Sequence, residues 1–354
     1  MQRCTYRIID ANFNRAREAA RVIEDFARFA LNSKTLTERA KQIRHRLSAM
    51  IASLDTAKLL CSRDTLGDIG LGSTVEGAIT RANLKDCLVA ACKRLTEALR
   101  VLSETVQTLD AALAQRIENL RYDAYTLEKD ILICSDTAEK FSRVRLYVII
   151  SSSLPAEVIS LTYCCIKGGA DCIQLRAKAI EDNKFFAIAR EFVKICNSAP
   201  VLSIINDRAD IAAAVGADGV HLGSHDLPVE QARKLQLTPL IIGSTTHSLA
   251  ELQNSCRQMP TYVALGPVFA TPTKPKVKPV GPGYLTEAKG ILADTGIAAV
   301  AVGGITLENV EQVLAAGVNA IAVCSAVTAG GDPAANCRAL KNRIADFAKP
   351  QATA

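Results

Sequence analysis

Hydrophobic positions recur along this chain with two different rhythms, and the change of rhythm divides it. From Asp10 to about Ile133 the spacing is three or four residues. Phe13, Ala16, Ala20, Ile23, Ala27 and Ala30 fall on one helix face, as do Leu36, Ala40, Ile43, Leu47, Ile51 and Leu54. Leu84, Leu88, Ala91, Leu95, Leu99, Leu102 and Val106 repeat the pattern, and Ile117, Leu120, Ala124, Leu127 and Ile131 close it. Four amphipathic helices predict an all-α helical bundle over residues 1–134. The polar run Ser135 to Arg143 reads as a linker over 135–143.

Over residues 144–350 short apolar runs alternate with helical ones. Strand candidates are Leu146 to Ile150, Cys172 to Arg176, Val201 to Asn206, Gly219 to Leu222, Leu240 to Gly243, Tyr262 to Leu265, Ala298 to Val302 and Ala320 to Cys324. Helical candidates between and after them are Pro155 to Lys167, Asn183 to Cys196, Pro228 to Leu235, Leu249 to Arg257, Leu307 to Ala316 and Pro333 to Phe347. Runs such as Tyr262 to Leu265 are apolar on both faces, as strands of a parallel sheet under helices must be. Eight strand-helix units in about 210 residues predict an α/β fold, a (β/α)8 TIM barrel preceded by the bundle. An open doubly wound sheet would favour a G-x-G-x-x-G after its first strand, and none is there.

The bundle also repeats internally. Arg15, Glu18, Ala19, Arg21, Val22, Ile23 and Asp25 answer to Arg94, Glu97, Ala98, Arg100, Val101, Leu102 and Glu104 at a constant offset. Arg39, Ile43 and Arg44 answer to Arg116, Leu120 and Arg121, so two helical hairpins share one pattern. Between the hairpins, Cys61 to Thr74 is rich in Gly and Asp. Arg63, Asp64 and Asp68 in it read as a solvated connection or as binding groups. Arg15, Arg17, Arg21 and Arg28 read as a solvated charged face or as an anion site.

Charge and composition narrow the function. The net charge of +6 is spread over many elements, and no aromatic-basic recognition motif accompanies it, which points to small anionic substrates and not to nucleic acid. No stretch of about 18 uncharged apolar residues occurs and the first residues lack a signal peptide's apolar centre, so a cytoplasmic protein without a membrane span is expected. Twelve cysteines occur without a Cys-x-x-Cys pair. Cys87, Cys92, Cys164, Cys172, Cys196 and Cys324 sit among apolar residues, as buried reduced thiols do.

A barrel keeps its site at the C-terminal strand ends. Polar residues there are Gln174, Arg176 and Lys178; Asn206 and Asp207; His221 to Asp226; Ser244 to His247; Thr271 to Lys274; Gly303 and Gly304; and Ser325. Alternation sends Gln174, Arg176 and Lys178 to one side, so two cations and an amide converge. Asp207 and Asp226 suffice for a hard divalent ion completed by phosphate oxygens and water. Taken singly, each has a structural reading: a strand-end charge pair, a helix cap, a tight turn. His221 reads more readily as a packed strand-end residue than as a metal ligand.

Together, Ile173-Gln174-Leu175-Arg176 with Lys178, Ile205-Asn206-Asp207-Arg208, Gly219-Val220-His221-Leu222-Gly223, Gly266-Pro267 through Thr271-Pro272-Thr273-Lys274, and Gly303-Gly304-Ile305 resemble thiamine phosphate synthase over about Arg143 to Ala348. The helical part is similar to an N-terminal extension carried by some members. The resemblance implies condensation of hydroxymethylpyrimidine diphosphate with hydroxyethylthiazole phosphate to thiamine phosphate and pyrophosphate. By it, Gln174, Arg176, Lys178, Asn206 and Lys274 hold the pyrimidine diphosphate, Asp207 and Asp226 hold Mg2+, and Ser244 meets the pyrimidine ring or pyrophosphate. Thr271, Thr273, Gly304, Cys324 and Ser325 line the thiazole phosphate site. The chain departs from the family's usual residues at Ser224-His225, Ala270, Cys324 and Ile150-Ser151-Ser152. The alternatives are a thiazole tautomerase-like barrel, or a phosphate-binding barrel whose helical domain contacts a second copy or a pathway enzyme.

Overall fold

A computed structural model of the chain describes residues 1–70, 80–178, 180–235, 237–271 and 277–348. The chain forms two compact units, Met1–Cys134 and Ser135–Ala354. In the first, α1 (Gln2–Asp25), α2 (Lys34–Ile51), α3 (Thr56–Ser62), α4 (Leu84–Val106) and α5 (Ala111–Phe141) follow one another. Helices α2, α3 and α4 start where short polar side chains satisfy open N–H groups. Ser33 Oγ accepts from Leu36 N at 3.4 Å, Asp55 Oδ1 from Lys58 N at 3.1 Å, and Asn83 Oδ1 from Asp86 N at 2.9 Å. The apolar stripes named above supply the core, with Ala16, Leu47, Leu88, Leu99 and Ile117 fully buried.

Three features of the helical unit depart from the sequence reading, the first being α3, a short fifth helix where four were expected. A single π-helical turn, Phe26–Ala30, ends α1 and breaks the 3.6-residue rhythm, so Ala30 is exposed although it continues the spacing. Arg63, in the Gly- and Asp-rich stretch, is not simply solvated: its guanidinium forks onto the buried carboxylate of Asp10 at 2.7 and 2.8 Å. Residues 71–74 of that stretch lie outside the described residues. The counterparts Arg44 and Arg121 take different partners: Arg44 reaches Glu24 on α1 at 2.9 Å, whereas Arg121 pairs through Nε with Glu118 of its own helix at 3.0 Å.

The expected linker does not form a separate segment, because Ser135 to Phe141 continue α5. Thr137 and Phe141 are buried there, which a solvated linker would not allow. The chain then enters β1 (Leu146–Ile150), followed by α6 (Pro155–Lys167), β2 (Cys172–Leu175), α7 (Asp182–Asn197), β3 (Leu202–Asn206), α8 (Ala209–Val215) and β4 (Gly219–Leu222). After α9 (Val229–Ala232) come β5 (Ile241–Thr246), α10 (Leu249–Arg257), β6 (Tyr262–Leu265), α11 (Gly281–Leu292), β7 (Ala298–Val302), α12 (Val310–Ala315), β8 (Ala320–Val323), α13 (Ser325–Thr328) and α14 (Pro333–Phe347). The eight strands are parallel and close in sequence order, β8 pairing with β1.

Alternation along these strands makes two packed layers. Val148, Ile173, Leu175, Ile205, Val220, Ile242, Val263, Leu265 and Ile321 face the helices. Tyr147, Cys172, Ile204, Ile241, Tyr262, Val300, Ala320 and Ala322 fill the barrel, with Phe141 and Val144 packed against them. Phe141 stacks on Tyr262 with ring centroids 4.4 Å apart and planes within 2°. The inner layer thereby forms a floor, and polar residues farther along the same strands stand above it. Among the described residues no helix is long and apolar enough to cross a membrane.

Candidate active site

The C-terminal strand ends surround one pocket. Its walls include Gln174, Arg176 and Lys178 from β2 and its loop, Asn206 and Asp207 from β3, and Thr271 beyond β6. Gly303, Gly304, Cys324 and Ser325 line it from the ends of β7 and β8. Sequence-predicted residues from these five segments thus meet in one place. Thr273 and Lys274 lie outside the described residues.

Asp207 is the most constrained of them. It has a left-handed backbone with φ of 65°, which aspartate tolerates better than most residues, and its N–H donates to His221 O at 2.8 Å. The next residue pins the turn: Arg208 donates to Asp210 Oδ1 at 2.9 Å through Nε and to Asp182 Oδ2 at 3.2 Å. Burial pushes the Asp207 carboxyl up to about 6, with the neighbouring Asp226 as hydrogen-bond partner and like charge, against the pull of Lys178 and Arg176. Asp226 is aimed by the Gly223 N–H, which donates to its Oδ2 at 2.6 Å. Lys178 Nζ lies 3.9 Å from Asp207 Oδ2, and Arg176 donates to Ser151 Oγ at 2.9 Å. Asp226 itself is not in the pocket wall and enters the site through Asp207.

This donor set fits a divalent cation. Two carboxylates crowd together with cations beside them, so they resist sharing charge unless a positive ion lies between them. Among the described residues no group of three or more His, Cys, Asp or Glu side chains could hold a metal. An ion at this pair would be bound by one or two carboxylates and completed by substrate oxygens.

The glycines at the end of β7 are required by close approach. Gly304, with φ of 64°, passes so near the β6 loop that an added Cβ would lie 2.4 Å from Ala270 O, and one at Gly303 would lie 2.4 Å from Pro267 Cβ. The loop is tied there by Val268 N to Val302 O at 2.9 Å and Phe269 N to Gly303 O at 3.0 Å.

Ser244 is not brought into the site. It pairs with Leu222 and Val263, both on the helix-facing side of the sheet, and does not line the pocket. Its neighbour Thr245 does line it, with Oγ1 2.8 Å from His221 Nε2. Sequence reasoning also missed Tyr147 and Tyr262, and it named His247 and Ser151 without giving either a role, although both belong to this site: His247 lines the pocket and Ser151 accepts from Arg176. His221, read as a packed strand-end residue, is that and more: it stacks on Tyr262 and lines the pocket. All twelve cysteines are free; Cys92, Cys172 and Cys196 are buried, whereas Cys87, Cys164 and Cys324 are only partly so.

Comparison with known proteins adds independent findings. The family described as thiamine monophosphate synthase matches residues 146–327, and the ThiD2 family matches residues 7–130. A thiamine-phosphate synthase of Rhodopirellula baltica is 37% identical over 332 residues, covering 92% of this chain and 88% of that protein. One from Synechocystis is 36% identical over 328 residues, covering 92% of each chain. Alignments of this length run through both the helical unit and the barrel. Among solved structures, thiamine phosphate pyrophosphorylase from Pyrococcus furiosus superposes with a TM-score of 0.53 at 29% identity, covering 60% of this chain and 99% of that one.

Proposed function

The chain belongs to the thiamine-phosphate synthase family, and we propose that the polar ring at its barrel mouth performs that family's reaction through the steps below. The enzyme is a transferase of thiamine biosynthesis: it condenses hydroxymethylpyrimidine diphosphate with hydroxyethylthiazole phosphate, releasing pyrophosphate. The observation that supports the site assignment is the meeting of Gln174, Arg176, Lys178, Asn206 and Asp207 on one pocket wall, with Asp226 against Asp207.

In this reading the bond between the pyrimidine methylene and the diphosphate oxygen breaks first, and its electron pair leaves with the oxygen. Arg176 and Lys178, which line the pocket, are assigned to neutralise that oxygen's charge, and Lys274 is assigned the same role. Asn206 and Gln174 orient the diphosphate and the ring. Asp207 and Asp226 hold the divalent cation, for which we propose Mg2+. When bound, it supplies positive charge to the leaving diphosphate. The methylene cation left behind is conjugated to the aminopyrimidine ring, and the thiazole nitrogen donates its lone pair to form the new C–N bond. No proton is lost from the bond-forming atoms, so no general base is required. Thr271, Thr273, Gly304, Cys324 and Ser325 hold the thiazole phosphate close enough to compete with water.

The division into a helical domain and a barrel domain is part of this proposal, supported by the two compact units. So is action in the cytoplasm on small phosphorylated substrates. The test is to mix the purified chain, Mg2+ and both substrates and to follow thiamine phosphate and pyrophosphate together. Equal, magnesium-dependent appearance of both is expected. Folded protein that releases neither would overturn the reading.

A further inference from the structure

Under the pocket, side chains from five strands form one continuous hydrogen-bonded chain. Gln174 Nε2 donates to Tyr147 Oη at 2.7 Å, Tyr147 Oη meets Tyr262 Oη at 2.9 Å, and Tyr262 Oη meets His221 Nδ1 at 3.0 Å. His221 Nε2 then meets Thr245 Oγ1 at 2.8 Å. Both tyrosines are buried, at 1% and 0% exposure, and burial pushes both phenols well above their ordinary range, so their protons stay on. Room for one of them is made by a glycine. A Cβ on Gly243 would lie 2.1 Å from Tyr262 Cζ and 2.4 Å from its Oη.

The protons in this chain can run in two directions. In the first, Tyr147 donates to Tyr262, Tyr262 donates to His221 Nδ1, and neutral His221 carries its proton on Nε2 and donates to Thr245. Every proton then reaches an oxygen or nitrogen, and the Thr245 hydroxyl has its own proton left for the pocket. In the second, Thr245 donates to Nε2 and the order reverses. Tyr147 then accepts from both Gln174 and Tyr262, and its buried proton is left to the sulfur of Cys172 beside it, a weak acceptor. With Gln174 presenting its amide nitrogen to Tyr147, a buried hydroxyl without a strong partner is unfavourable in the second order, which selects the first direction.

We propose that Tyr147 and Tyr262 are positioning residues for the condensation: they hold His221 as its Nε2–H tautomer, turn the Thr245 hydroxyl proton into the pocket, and fix Gln174 with its amide oxygen left to accept. The floor then offers one donor and one acceptor. An aminopyrimidine needs that pair, because its exocyclic amine donates and its ring nitrogen accepts. The inference rests on the function proposed above, but its first test does not.

That test reads the tautomer of His221 in the ligand-free, 15N-labelled full chain, the signal being assigned among four histidines by its loss in His221→Asn. The Nε2–H form is expected in the wild type, and Tyr262→Phe, which keeps the ring and removes only the hydroxyl, should abolish the preference. In steady state, Tyr262→Phe and Tyr147→Phe should each lower kcat/KM for the pyrimidine diphosphate about tenfold, the equivalent of one buried hydrogen bond. KM for the thiazole phosphate should change by less than about twofold, which a general loss of structure would not produce. A wild-type Nδ1–H tautomer would overturn the proposal without any variant having to fold. So would folded Phe variants with unchanged kcat/KM. A wild-type chain that shows the Nε2–H form but makes no thiamine phosphate would overturn the function proposed above, leaving the direction of the network established.

Discussion

Asp207→Asn should make the metal-free protein more stable while removing its magnesium-dependent turnover. The carboxyl is held at about 6 against an ordinary 3.8. At full strength that shift amounts to about 3 kcal/mol against the charged form. The side chain is 34% exposed, so solvent screening roughly halves the figure, leaving about 1.5 kcal/mol. The sign follows from which state holds the proton more tightly. The folded carboxyl does, so below about pH 4 both states are protonated and the substitution changes little. As pH rises towards 6 the unfolded carboxyl ionises first, the folded one is left with an unfavourable charge beside Asp226, and the wild type loses stability relative to the variant. Above 6 the gap is constant. Asparagine keeps the shape and accepts the left-handed backbone at this position, so no steric loss should mask the gain. In thermal denaturation with chelator at pH 7.5 the variant's barrel should melt about 3–6 °C higher than the wild type, with the two converging near pH 4. Added Mg2+ should raise the wild-type midpoint and leave the variant's in place, because the ion stabilises only a fold that binds it. A variant that melts no higher than the wild type at pH 7.5, or that still responds to Mg2+, would refute the reasoning.

Other substitutions separate the remaining roles. Thr245→Val should lower kcat/KM for the pyrimidine diphosphate about tenfold, whereas Ser244→Ala, on the helix-facing side, should stay within about twofold; equal effects in steady-state assays would contradict the strand phase. Gly243→Ala must move the Tyr262 phenol and should destabilise the barrel by about 1–3 kcal/mol in urea unfolding, a cost of overpacking that an unchanged midpoint would disprove. Lys274→Ala should slow diphosphate departure about 100-fold in single-turnover quench experiments, and a wild-type rate there would remove that lysine from the leaving-group site.

Period-two reasoning recovered most of the site and failed where the phase of a strand was not known. The eight strands were legible because Val, Ile, Ala and Leu runs of four to six residues have no other use between helical segments of this length. Once β2 is a strand, Gln174 and Arg176 must share a side, and the chain carries Lys178 onward to the same pocket. The fifth strand was read as ending at Gly243, yet it runs on to Thr246. Ser244 is assigned by the resemblance, and a strand ending at Gly243 leaves its phase unread. Extended by one more pair of residues, the same alternation puts Gly243 beside Tyr262 inside the barrel and Thr245 above it, with Ser244 outside. Helices α8 and α11 escaped for a different reason. The first spans only seven residues and the second opens on Gly281-Pro282-Gly283, so neither shows enough turns for a stripe to stand out. The tyrosine floor was hidden in a third way. Tyr147 and Tyr262 occur in runs that read as plain apolar strand, and only closure of the sheet brings their hydroxyls within 2.9 Å of each other across 115 residues of sequence. A phenol facing the centre of a closed barrel needs a polar partner there, and the partners that meet that need end at Gln174 on one side and at His221 and Thr245 on the other. Burial in the floor therefore determines how the polar groups above it are oriented.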